Sequence, residues 1–344
     1  MMIDFRPLFV LVLAASTACS SDESSGGDST PELDADASAP GDGSTAAADD
    51  AGDGDTDGSS VVPAEDVRQF PENPPTVVGG ERPADVVAPL DYDPARSWPV
   101  ILLLHGYGAS GFLQDTYLGV SAMVDSDGFI VIRPDGTRNA DGQRFWNGPT
   151  CCNFEGQPVD DVAYLRGLVE EVSESWNIDP DRVYAMGHSN GGFMSYRLAC
   201  EASDVFVAIA SLAGSTFDDP DDCAPAVSPV SVLQVHGTND DTISYDGGNL
   251  FGGAQGRYPS ARQSVETHAA IAGCAVSSPA EGSALDLEVS LPGDESTTLV
   301  WTEGCTRQTR FELWTIPDGS HLPNLNPAGT ARMVRWLLEQ RRTP

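Results

Sequence analysis

From residue 82 onward the chain alternates apolar runs of strand length with segments whose apolar residues recur at helical spacing, and few architectures satisfy that pattern. Strands are predicted over 85–88, 100–104, 129–133, 182–186, 205–212, 230–235 and 310–316, and helices over 113–124, 160–176, 191–202, 261–271 and 327–340. A strand that is apolar almost without interruption has no polar face to turn to water. Both faces of its sheet need cover, and the intervening helices supply it. The expectation is an α/β fold with a mostly parallel central sheet and helices on both faces. Ligands of such sheets bind beyond the carboxyl ends of the strands. The stretch 275–308 reads as a hairpin-like excursion before the last strand.

This pattern defines one globular body, 63–344. Residues 1–19 read as an export signal: Arg6, an apolar run over 8–15 that is too short to span a bilayer, then small residues before Cys19. The segment resembles a bacterial lipoprotein signal with Cys19 as the lipid-anchored residue, although Ser16 stands where such signals usually hold Leu. Ordinary cleavage after Ala18 is the alternative. Residues 20–62 contain no aromatic and no basic side chain and many acidic ones, so they cannot bury enough apolar surface to fold. They are expected to form a disordered acidic linker. The mature protein is expected in an oxidising compartment, as a periplasmic or cell-surface lipoprotein or as an extracellular protein.

Composition excludes several chemistries. All 18 basic residues are Arg, so no Schiff-base lysine, P-loop lysine or kinase lysine is available. A formal net charge of −34 argues against nucleic acid and anionic lipid headgroups as partners, leaving a lipid anchor as the expected membrane contact.

Gly187-His188-Ser189-Asn190-Gly191 lies between a predicted strand and a predicted helix. A nucleophile on such a tight turn needs small residues two before and two after it, and the helix that follows directs its amide end toward developing negative charge. A serine hydroxyl is inert without a base, and triads on this kind of sheet run Ser, acid, His along the chain. His268 lies inside a helical segment and reads as a packed or helix-surface residue. His321 follows the last strand in a loop, Pro317-Asp-Gly-Ser320, from which it can reach over the sheet. The acid should end an earlier strand. The segment 230–235 leads to Asp240, with Asp241 as the fallback. The backbone amides of Tyr107 and Asn190 are the expected oxyanion donors. The side chains of His105 and His188 read as structural. A metal site built from His105, His188 and His236 lacks a carboxylate at ligand spacing, so no metal and no cofactor is expected.

Gly187-His-Ser-Asn-Gly-Gly192, running into Phe193-Met-Ser-Tyr-Arg-Leu-Ala-Cys200, resembles the polyhydroxybutyrate depolymerase and feruloyl esterase group of α/β-hydrolases, which is similar to carbohydrate esterase family one. The likeness continues through Leu104-His-Gly-Tyr-Gly108, Trp146-Asn147, Cys151-Cys152, Asp160-Asp-Val162, His236-Gly-Thr238, Tyr245-Asp-Gly-Gly248 and the pair Cys274 and Cys305. It implies the α/β-hydrolase fold, Ser189, Asp240 and His321 as the triad, and a bond between Cys274 and Cys305. The segment Gly319-Ser-His321-Leu-Pro323 departs from the group, in which Trp-Pro commonly follows the His. Vicinal Cys151 and Cys152 are not expected to bridge each other, so they are expected to take Cys200 and Cys223 in either order. The loop 135–159 leaves the carboxyl end of a strand, and Trp146 is its candidate substrate-binding residue, with core packing as the competing reading.

The expected activity is hydrolysis of a carboxylic ester through an acyl-enzyme. The substrate class is a hydroxyalkanoate oligomer, a feruloyl or acetyl polysaccharide, or a related ester. Alternatives are a catalytically inactive surface-binding lipoprotein on the same scaffold, or an acyltransferase or peptidase using the same triad.

Overall fold

A computed structural model describes residues 68–223, 228–250 and 256–343. The signal and lipid-anchor expectations for 1–19, Cys19 included, and the linker expectation for 20–62 lie outside the described residues. In chain order the strands are β1 (Val77–Val78), β2 (Ala84–Val87), β3 (Trp98–Leu104), β4 (Ile130–Arg133), β5 (Thr137–Arg138), β6 (Arg144–Phe145) and β7 (Ile178–His188). They continue with β8 (Ala208–Leu212), β9 (Ser231–Gly237), β10 (Gly248–Asn249), β11 (Arg257–Tyr258), β12 (Ala280–Glu281), β13 (Thr297–Trp301) and β14 (Phe311–Ile316). The helices are α1 (Gly111–Leu118), α2 (Val124–Asp127), α3 (Asp161–Ser175), α4 (Asn190–Glu201), α5 (Ala261–Ile271) and α6 (Pro327–Glu339).

Ten strands form one sheet in the order β1-β2-β4-β3-β7-β8-β9-β14-β13-β12. From β4 through β14 each neighbouring pair is parallel, and β1, β2, β12 and β13 add antiparallel edges. The predicted excursion over 275–308 is the source of β12 and β13, and β13 pairs along β14 from Thr297 opposite Thr315 to Trp301 opposite Phe311.

Why the central strands are continuously apolar is clear from β3. Val100, Leu102 and Leu104 pack into a core with α3, α4 and α5, while Ile101 and Leu103 pack into a second core on the opposite face with α1, α2 and α6. Successive residues of a strand point to opposite faces, so a two-sided sheet needs apolar residues at every position.

Helix starts follow local chemistry. The Asp160 side chain caps α3 by accepting from the Ala163 amide at 2.8 Å, and Ser260 with Gln263 forms a capping box on α5. The one continuous helix predicted over 113–124 is broken: α1 ends at Leu118, and Gly119, at φ 68°, turns the chain into a short 3-10 segment before α2. Only a residue without a side chain adopts that left-handed conformation without penalty, and apolar periodicity carries no trace of it.

Candidate active site

Three loops at the carboxyl ends of β7, β9 and β14 meet above the sheet. Ser189 sits between β7 and α4 with φ 54° and ψ −120°, a conformation that is strained for any residue bearing a side chain. A β-carbon at Gly187 would run into the Gly191 carbonyl, and one at Gly191 would run into the Leu104 carbonyl. Both glycines are therefore required by the close passage of backbone beneath the turn. The result is a partly exposed hydroxyl at the N-terminus of α4.

His321 Nε2 lies 2.9 Å from Ser189 Oγ, and His321 Nδ1 lies 2.8 Å from Asp240 Oδ2. The predicted serine, acid and base thus form one hydrogen-bonded chain from residues 51 and 81 positions apart. Asp240 is buried, whereas Asp241 is exposed. Oδ1 of Asp240 accepts the amides of Thr242 at 2.9 Å and Ile243 at 2.8 Å, and Oδ2 also faces His236 Nε2 at 3.2 Å. Burial pushes the Asp240 carboxyl up, but the hydrogen bonds from His236 and His321, the His321 charge and the Ile243 amide more than offset it. The group is held well below the usual carboxylate range.

The loop that carries Tyr107, one of the expected oxyanion donors, approaches Ser189. The loop after β3 passes beside the nucleophile, where a β-carbon on Gly106 would lie 3.5 Å from Ser189 Cβ. Gly106 donates to Gln114 Oε1 at 3.2 Å and Gly108 donates to Arg144 O at 2.8 Å. Between them, the Tyr107 amide donates to no protein acceptor among the described residues. Asn190 opens α4, where amides have no intrahelical acceptor.

His105 and His188 stabilise this arrangement through their side chains. His105 Nδ1 donates to Gly106 O at 2.8 Å, and its Nε2 accepts the Gly136 amide at 2.9 Å. His188 Nε2 donates to His321 O at 2.9 Å, tying the loop after β14 to the end of β7. Burial lowers the pKa of His105 to about 4, and burial together with the His321 charge lowers that of His188 to about 3.

Trp146 does not line an open pocket, contrary to the expectation for it. It is fully buried, its Nε1 donates to His105 O at 3.0 Å, and its backbone N–H and C=O pair with the Asn190 side chain at 2.7 and 2.8 Å. The ring is enclosed between His105 and Arg82. These bonds tie the loop after β3 to the start of α4. Asn147, next to it, donates its amide to buried Asp161 at 2.8 Å, and Asp161 pairs with Arg82 at 3.0 Å. The exposed aromatic surface near the site comes instead from Tyr107 and Phe154, whose rings lie 5.2 Å apart.

The cysteine pairing also differs from expectation. Cys151 and Cys152 are joined to each other, Cys200 is joined to Cys223, and Cys274 is joined to Cys305. The vicinal pair was not expected to bridge itself. The bond between Cys151 and Cys152 is cis, with Cα atoms 3.2 Å apart, and both side chains lie on one side. They pack with Phe145, Phe193, Ile243 and Tyr258 in a small apolar cluster beside α4 and the loop after β9. Among the described residues, Cys200, Cys223 and His268 are close enough to share an ion, but the two sulfurs are already bonded to each other.

Alpha/beta hydrolase sequences match this chain over residues 101–333. The chain belongs to the alpha/beta hydrolase family. It is 28% identical to Feruloyl esterase B of Piromyces equi over 242 residues, covering 68% of this chain and 41% of that protein. It is 26% identical to Feruloyl esterase D of Neurospora crassa over 264 residues, covering 73% and 77% of the two chains. The solved acetyl xylan esterase from Aspergillus awamori superposes with a TM-score of 0.54 at 14% identity, covering 74% of this chain and 93% of that one. The chain spans less than half the length of the first curated relatives it matches.

Proposed function

We propose that this alpha/beta hydrolase is an exported carboxylic-ester hydrolase working through an acyl-enzyme. The single observation that carries the reading is the continuous chain from Ser189 Oγ through the His321 ring to Asp240, with both links under 3 Å. Ser189 Oγ attacks the ester carbonyl while His321 Nε2 takes its proton. Asp240 holds the ring with Nδ1–H inward and stabilises the imidazolium that forms. The carbonyl oxygen, now carrying the negative charge, lies against the Tyr107 and Asn190 amides, each such donor being worth about 3 kcal/mol in the transition state. As the tetrahedral species collapses, the C–O bond to the alcohol breaks and His321 returns the proton to the departing oxygen. Water then repeats the sequence on the acyl-serine and releases the acid.

The names of the relatives support feruloyl and acetyl esters of polysaccharides as the first substrates to try, and the resemblance to polyhydroxybutyrate depolymerases adds hydroxybutyrate oligomers. The exposed Tyr107 and Phe154 rings beside the oxyanion loop suit an apolar or aromatic acyl group. Export agrees with the disulfides, because such bonds persist in oxidising compartments. No described helix is long and apolar enough to cross a membrane.

Ser189→Ala tests the reading. The variant should fold and lose turnover of p-nitrophenyl acetate and butyrate together with labelling by a fluorophosphonate probe. Retained turnover would overturn the assignment. Absence of labelling in the native enzyme would favour an inactive scaffold.

A further inference from the structure

Strand β9 carries Gln234 and His236 within a largely apolar run, and both are enclosed. Residues two apart on a strand point the same way, and Val232 places their face in the core beneath α4 and α5. A buried amide and imidazole are costly unless their donors and acceptors are met. Here the partners form one chain. Gln234 Nε2 donates to Gly214 O at 3.0 Å and to His236 Nδ1 at 3.1 Å, and the Tyr196 hydroxyl donates to Gln234 Oε1 at 3.0 Å. A backbone carbonyl only accepts, so Gly214 decides which end of the amide is nitrogen. That amide leaves His236 Nδ1 without a proton. The ring proton is then on Nε2, which is directed at Ile243 O at 2.8 Å and Asp240 Oδ2 at 3.2 Å.

We propose that His236 is a positioning residue for the acid, a neutral imidazole held in its Nε2–H form by Gln234. This inference rests on the triad reading above and deepens it. Oδ2 of Asp240 is shared by two imidazoles with different tasks. His321 becomes charged when it takes the serine proton, whereas a second proton on His236 Nδ1 would face the Gln234 N–H. The geometry therefore reserves the carboxylate charge for His321. His236 also opposes rotation of the carboxylate on the Oδ2 side, as the Thr242 and Ile243 amides do on the Oδ1 side. Asp240 thus has fixed partners on both oxygens before substrate arrives.

The test combines a spectroscopic and a kinetic readout on the full chain. With 15N-labelled histidine, the resonances assigned to His236 should report the Nε2–H tautomer in the resting enzyme at neutral pH. His236→Leu should lower kcat on p-nitrophenyl butyrate about tenfold to a hundredfold, as expected when one hydrogen bond to a charged acceptor is lost. KM should stay within a factor of about two, because the Asp240 contact acts on the barrier and not on substrate binding. His236→Gln, whose amide nitrogen reaches the same point, should recover most of the loss. An Nδ1–H tautomer, a Leu variant with native kcat, or a folded Gln variant as slow as the Leu variant would overturn the proposal. Should the Leu variant fail to fold, the tautomer in the native enzyme decides. Fluorophosphonate labelling of Ser189 separates the two levels: no labelling defeats the triad reading, whereas normal labelling with the wrong tautomer defeats this inference alone.

Discussion

Acid should destabilise this protein well above the pH at which carboxylates titrate, because burial lowers the pKa of His105, His188 and His268. His105, His188 and His268 have pKa values lowered to about 4, about 3 and about 4, with burial the largest cause in each case. In the unfolded chain an ordinary histidine titrates near pH 6.5. A group whose folded pKa is depressed contributes stability that is present above its unfolded value and lost as pH falls toward its folded value. Between pH 7 and pH 5 the unfolded chain therefore binds nearly three more protons than the folded one, costing about 1.8 kcal/mol per ring and about 5 to 6 kcal/mol in all. That is a large part of the 5 to 15 kcal/mol by which domains are typically stable, a range of only about that order. The result depends weakly on the folded values provided all three stay below about 5. Urea unfolding followed by tryptophan fluorescence at several pH values, with the disulfides intact, measures it directly. The expected slope is about 3 to 4 kcal/mol per pH unit between pH 6 and 5. A slope of about 1.4 kcal/mol per unit or less, the uptake of a single proton, would refute the reasoning.

Asp240→Asn should lower kcat by about 10⁴-fold through loss of the correct His321 tautomer, while Asp241→Asn, at an exposed position, should leave kcat within a factor of about two; comparable losses in both would contradict the assignment. Gly191→Ala should yield little folded protein, since its β-carbon meets the Leu104 carbonyl and neither backbone can yield, and a normal melting temperature would contradict that geometry. Replacing Cys200 and Cys223 together by Ser should lower the unfolding free energy by about 3 kcal/mol, from the 23-residue separation they close, measured by urea titration.

Sequence reading reached the architecture because its central strands are apolar on both faces, a pattern that survives in the linear order of residues. It located β14 within one residue and α5 without error, yet it joined α1 and α2, because the left-handed turn at Gly119 depends on backbone conformation and not on polarity. The positions of Ser189 and His321 were legible from local motif and chain order. The choice of Asp240 over Asp241 needed the loop itself, where the Thr242 and Ile243 amides meet one carboxylate. For Trp146 the sequence left substrate binding and core packing open, and its burial against Asn190 and His105, 44 and 41 positions away, supports packing. The pairing of Cys151 with Cys152 is not signalled by composition or spacing, because six cysteines admit many pairings. A clue to His236 was available: Gln234, polar within an apolar run and two residues away, pointed to a shared buried network on that face of β9.

The measurement that bears most directly on the account is chemical. Native enzyme mixed with p-nitrophenyl butyrate, quenched in acid within milliseconds and digested, should show one butyryl group on the peptide containing Ser189, accumulated during a burst of nitrophenol. A burst without acylated Ser189, or acylation at another side chain, would contradict the proposed nucleophile and the mechanism built on it.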